Sequence, residues 1–152
     1  VELQPLSHQH HNGLMAVLLL KKGVDKQAAT DVMGDFIIQV WNAELRNHFI
    51  KEEVYLHPHV LQISSLMEKY EQMKAEHHQI RHLVDAIRNG DTSVANITSF
   101  SALLEKHIRF EERDLFPYIQ EQIHAEQLNE LGKNLQHLES KACSEYPVKF
   151  WE

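Results

Sequence analysis

The stretch HFIKEEVYLHP, His48 to Pro58, is echoed by HIRFEERDLFP, His107 to Pro117. Each copy sets a histidine four residues before a glutamate: His48 with Glu52, and His107 with Glu111. On a helix that spacing puts both side chains on one face, one turn apart. The apolar residues that lead into each copy fall on the same face. Ile37 and Trp41 lead to Glu44, His48 and Glu52; Phe100, Leu103 and Leu104 lead to His107 and Glu111. A stripe that begins apolar and turns polar points imidazoles and carboxylates toward a core. One copy alone reads as a solvated i,i+4 pair. Two copies on apolar stripes read as a site.

The rest of the chain supports helices around these stretches. Strong helix formers fill the intervals between Gly23, Pro58, Asn89-Gly90 and Pro117, and strand-like runs are few. The first helix is expected over about Ser7 to Lys22, with Ser7 as N-cap and Gly23 just past its end. The second is expected over about Asp25 to Tyr55, the third over Val60 to Arg88, and the fourth over Ser93 to Glu121 with a kink near Pro117. A shorter fifth, about Ala125 to Glu139, carries Leu128, Leu131, Leu135 and Leu138 on one stripe. Four long helices with short connections imply an all-α, antiparallel up-down four-helix bundle with an additional short C-terminal helix. The whole chain reads as one domain, with the bundle over about 7–121 and the last helix and tail over 122–152.

Two histidine doublets precede the echoed stretches. QHHNGL opens the first helix with His10 and His11, and EHHQIR sits in the third with His77 and His78. His77 shares the stripe of Met73 and Ile80. His78 and His82 share a face with Glu71, Lys74 and Asp85 and read as surface. In the first helix periodicity leaves His10 and His11 both open. His8, His124 and His137 read as surface, and His57 and His59 flank Pro58 in an expected turn. Glu53 and Glu112 are expected to face solvent or to support the site, and Tyr70 is expected in the core with its hydroxyl near the site.

Burying Glu52, Glu111 and Glu44 costs free energy unless something neutralises them. No Lys or Arg shares their stripes, and neutral imidazoles carry no charge to balance them. Two divalent cations between the helices would do so, bridged by Glu52 and Glu111 and capped by imidazoles. Imidazole and carboxylate without thiolate suit iron or manganese, and zinc less well in a bridged pair. The doubled phrase is then two halves of one two-metal site.

Composition narrows the alternatives. The 152 residues include 22 acidic and 15 basic side chains, a formal net charge of -7, so a nucleic-acid surface is not expected. The run LMAVLLL, Leu14 to Leu20, is too short to span a bilayer. A single cysteine, Cys143, excludes a disulfide within the chain and suits a cytoplasmic location. The abundant residue is histidine, with 12 copies, and the stripes show that several are aimed rather than scattered.

HFIKEE, EHHQIR and HIRFEERDLFP, in this order over about residues 5 to 121, resemble the hemerythrin-like, or HHE cation-binding, family. PLSHQHHNGL is similar to a bacterial branch of it. The resemblance implies a non-haem di-iron protein that binds oxygen or nitric oxide, or holds iron. A di-iron oxidase, peroxidase or nitric-oxide and iron-centre repair enzyme is the alternative. Carried over motif by motif, it implies His10, His48, Glu52, His77, His107 and Glu111 as metal ligands. His10 is preferred to His11 because it comes first in its doublet, as His77 does. The oxygen carriers of that family have a further histidine where this chain has Met73. Glu44, His11 or His78 is the candidate to replace it.

Overall fold

The computed structural model describes residues 4–135 and 145–152, with side chains described from His10 onward. Every regular element among them is helical. Helix α1 is Gln4–Asp25, α2 is Thr30–Val40 and α3 is Arg46–Gln62, the last two joined through a π-helical turn at Trp41–Leu45. A 3-10 turn at Ser64–Leu66 leads into α4, Met67–Arg88. Helix α5, Val94–Phe110, continues through a second π turn, Glu111–Leu115, into α6, Phe116–Gln122. Helix α7 is Ala125–Leu135. The chain thus makes four long rods: α1, α2 with α3, α4, and α5 with α6. The first rod packs on the fourth, the fourth on the third, and the third on the second. Short connections between neighbours make this the expected antiparallel up-down bundle.

Several boundaries differ from expectation. Gly23 lies within α1, and the chain turns instead at Gln27, which takes a left-handed φ of 56°. The second rod starts at Thr30 rather than Asp25. It also runs past Tyr55, because Pro58 is accommodated inside α3. Val54, whose carbonyl loses its helical partner to Pro58, is on the exposed side of the rod. His57 and His59 therefore sit on a helix, not in a turn. Just before Pro117 the fourth rod changes from a π turn to α-helix. The π turn before it has already shifted the bonding, with the Phe116 N–H donating to Glu111 O, and Pro117 lies in the first turn of α6, where a missing N–H costs little. The stop at Asn89-Gly90 is as expected, with Gly90 at φ 100°. Ser93 caps α5 by accepting from the Asn96 N–H at 3.2 Å. Helix α1 starts at Gln4, so Ser7 lies inside it and is not its N-cap. The side chains of Ser7 and His8, and residues His137, Leu138, Glu139 and Cys143, lie outside the described residues.

The apolar core is in two parts. One gathers Leu20, Phe36, Phe49, Ile80 and Phe100; the other gathers Leu56, Tyr70, Met73, Leu115 and Ile119. Between them lies a buried polar layer of His10, Glu44, His48, Glu52, Glu76, His77, His107 and Glu111. Each part is closed by a C-terminal segment. Leu128, Leu131 and Leu135 of α7 join the second. Phe150 and Trp151 of the tail join the first, with Phe150 edge-on to Phe36 at 5.0 Å between ring centres. Gly23 makes this possible, since a Cβ there would lie 2.6 Å from the Phe150 ring. Phe150→Ala should lower unfolding stability by about 3 kcal/mol, the lower end of aromatic truncations in cores. A shift of the urea midpoint at unchanged slope is the expected reading.

Candidate metal centre

All four rods contribute to the polar layer. α1 supplies His10, α3 supplies His48 and Glu52, α4 supplies His77, and the α5 rod supplies His107 and Glu111. Their ligand-type atoms form two groups, each with all atoms within 4.8 Å of one another. Cluster A is His10, His48, Glu52 and Glu111; cluster B is His77, His107, Glu52 and Glu111. The two carboxylates belong to both.

The atoms divide cleanly. Glu52 turns Oε2 to His48 Nε2 at 3.4 Å and Oε1 to His77 Nε2 at 3.1 Å. Glu111 turns Oε1 to His10 Nε2 at 2.8 Å and to His48 Nε2 at 3.9 Å, and Oε2 to His107 Nε2 at 3.4 Å. Each carboxylate therefore offers one oxygen to each cluster, and each cluster is offered two nitrogens and two oxygens. In cluster B the Nε2 atoms of His77 and His107 face each other at 3.1 Å.

The six residues expected as ligands are thus brought together, and all six are buried. Of the three lesser candidates, His11 and His78 are exposed and lie outside the layer. Glu44 is buried but belongs to neither cluster. Both its oxygens accept from the Asn12 amide at 2.7 Å. It enters the layer from the first π turn, which adds a residue to the turn and changes which side chains face inward.

Four supporting residues have roles that helical spacing alone did not assign. Glu76 accepts from His107 Nδ1 at 2.7 Å, and Gln72 donates to the other Glu76 oxygen at 3.1 Å. Glu53 accepts from His77 Nδ1 at 2.7 Å, and Arg81 pairs with it at 2.8 Å. Glu76 is off the His77 stripe, so the helical pattern gave no signal of its role. The expectation that Glu53 supports the site is met, and the Tyr70 hydroxyl donates to the Glu53 carbonyl at 2.7 Å. Two phenyl rings hold the imidazoles flat. Phe49 stacks on His77 at 3.9 Å, and Phe116 on His10 at 5.4 Å.

The electrostatics show how the cluster is balanced with no cation in it. Burial alone would lower the His48 pKa, but Glu52 and Glu111 overcome it and raise it to about 10. His107 is likewise lowered by burial and then raised by Glu111, Glu76 and Glu52 to about 10. His10 is raised by Glu111 and Glu112 against its burial. Burial raises the Glu111 pKa, but His107 and the neighbouring groups bring it well below the ordinary range. Protonated imidazoles are thus a second way to balance the carboxylates, beside bound cations. Protonation still leaves the layer poorly bonded. Glu52 Oε2 and both Glu111 oxygens are buried without an aligned hydrogen-bond donor, and so is His10 Nε2 despite its 2.8 Å approach to Glu111. Buried carboxylate oxygens and imidazole nitrogens that converge with poor hydrogen-bond alignment fit bound metal ions.

A buried layer of His and Glu side chains that could hold metal, inside a four-rod helical bundle, points to a metal-binding helical protein. A family model described as the hemerythrin HHE cation binding domain matches residues 2–119, and the chain belongs to that family. Neither the search of curated proteins nor that of solved structures finds a match. No helix among the described residues is long and apolar enough to cross a membrane.

Proposed function

We propose that the chain holds two non-haem iron ions in clusters A and B and binds a small diatomic ligand, oxygen or nitric oxide, beside them in a cytoplasmic setting. The observation that carries this reading is the division of Glu52 and Glu111, one oxygen of each to each cluster. His10 and His48 would complete one ion's donor set, and His77 and His107 the other's. The donor chemistry, imidazole and carboxylate without thiolate, suits iron, with manganese and zinc as competitors. A bound iron pair supplies electrons to an oxygen or nitric oxide ligand.

The residues around cluster A set what can approach. A cavity of about 10 Å³, room for one water-sized group, lies against His10 and His48. Gly13, Leu45, Phe49, Leu104 and Ile108 give it apolar walls, which exclude water and favour a small, weakly polar ligand. A Cβ on Gly13 would lie 2.8 Å from Ile108 Cδ1, so Gly13→Ala pushes that methyl within the cavity wall. The expected result is two irons per chain as before, with gas affinity lowered about tenfold, equivalent to about 1.4 kcal/mol. Stopped-flow mixing of the anaerobic ferrous protein with oxygen or nitric oxide measures it. Unchanged affinity would mean that the ligand enters elsewhere.

One observation favours the second reading, a di-iron oxidase, peroxidase or repair enzyme. Glu44 lines the same cavity, and a carboxylate beside a bound reactant is the type of group that general acid–base chemistry uses and simple carriage does not need. Under that reading Glu44→Gln keeps both irons and lowers steady turnover of peroxide or nitric oxide at least tenfold. Absence of turnover in the native protein would leave binding as the function.

A further inference from the structure

On the side away from the shared carboxylates, His10 of cluster A is backed less firmly than either imidazole of cluster B. In cluster B, His77 Nδ1 lies 2.7 Å from Glu53, which Arg81 holds at 2.8 Å. His107 Nδ1 lies 2.7 Å from Glu76, which Gln72 holds at 3.1 Å. In cluster A, His10 Nδ1 lies 3.5 Å from Glu112 without hydrogen-bond alignment, and its ring is held by stacking on Phe116. Binding a cation pair does not in itself require this difference.

An imidazole that ligates through Nε2 must carry its proton on Nδ1. A carboxylate accepting from Nδ1–H selects that tautomer, fixes the ring and makes Nε2 a stronger donor. Both cluster B imidazoles have that support, and each supporting carboxylate is itself anchored. His10 has at best a long contact. Both cluster A imidazoles, His10 and His48, line the cavity at Gly13, whereas of the cluster B imidazoles only His107 does, so the open space lies more on the side of cluster A.

We infer that Glu53 and Glu76 are positioning residues that make cluster B the tighter cation position, filled first and released last, with cluster A the exchangeable one. This rests on the two-cation reading above. Losing one such outer partner is expected to weaken the ion it supports about 10- to 100-fold.

The test is titration of the chelator-treated full chain with Co²⁺, followed by calorimetry and by the visible d–d bands. The expected result is two resolved steps. Glu76→Gln should weaken the first step at least tenfold and shift its bands, leaving the second unchanged, and Glu76→Asp should restore part of the loss. Glu53→Gln should act in the same way, and it serves as the test should Glu76→Gln fail to fold. Glu112→Gln should leave the first step as it is. Two equal steps in the native protein would overturn the inference. So would a first step unmoved by the Glu→Gln changes at 53 and 76, or one lost in His10→Ala while the second survives. In those cases two ions still bind, and only the order fails. A native protein that takes up no Co²⁺ in the bundle would overturn the two-cation reading as well.

Discussion

Glu111→Ala should leave the protein unable to hold two ions, with affinity at each cluster lowered more than the roughly 100-fold that an outer partner can cost. The effect is large because one side chain serves both positions. Removing Glu111 takes one oxygen from cluster A and one from cluster B, reducing each set of four donors to three. The change also removes the carboxylate that His10, His48 and His107 share. Breaking a buried charged group of this kind costs on the order of 3–5 kcal/mol. Glu112→Ala is the matching control, since Glu112 is partly exposed and belongs to neither cluster. Elemental analysis after dialysis against free iron should give fewer than two irons per chain for Glu111→Ala and two for Glu112→Ala. Two tightly held irons in Glu111→Ala would remove Glu111 from the site.

Metal-free protein should lose stability as pH rises, and the increment from bound metal should grow to offset that loss. With no cation present, His48 and His107 have folded pKa values of about 10 against about 6.5 when unfolded. Groups raised on folding contribute stability that is fully present below the unfolded value and lost as pH climbs to the folded one. The chelated protein should therefore lose stability between about pH 6.5 and about pH 10. Cations bind the neutral imidazoles and must displace those protons. Displacing two protons, one at each cluster, makes the combined affinity for two ions rise about 100-fold per pH unit while pH stays below both folded values. Melting curves with and without iron, from about pH 6 to about pH 8, read both effects. The chelated midpoint should fall while the increment from iron grows. A metal increment that shrinks with rising pH would mean that the histidines are not the groups displaced. Glu111, held low, remains ionised across this range.

The rods and the inward stripes were legible because helical period governs them. Ile37, Trp41, Glu44, His48 and Glu52 are all buried along one rod, and Phe100, Leu104, His107 and Glu111 along another. The choice between His10 and His11 was not legible, since both have apolar neighbours one turn on. The bundle decides it by burying His10 and exposing His11. The two π turns left no reading in the sequence, because a shift from i−4 to i−5 bonding has no composition of its own. Pro58 misled for a related reason. Proline usually ends a helix, but here the lost bond lies on the solvent side of the rod. Glu76 was hidden by adjacency, since position i−1 to an inward histidine lies about 100° around the helix. It is buried because His107 reaches it from the neighbouring rod, a contact between helices that no single-helix pattern contains.

The most direct measurement is the metal content of the full chain purified without chelator, with its visible spectrum recorded in air. The expected result is two irons per chain and an oxo-bridge charge-transfer band, both lost on chelation. No metal, or a single equivalent of zinc, would contradict a bridged iron pair between Glu52 and Glu111.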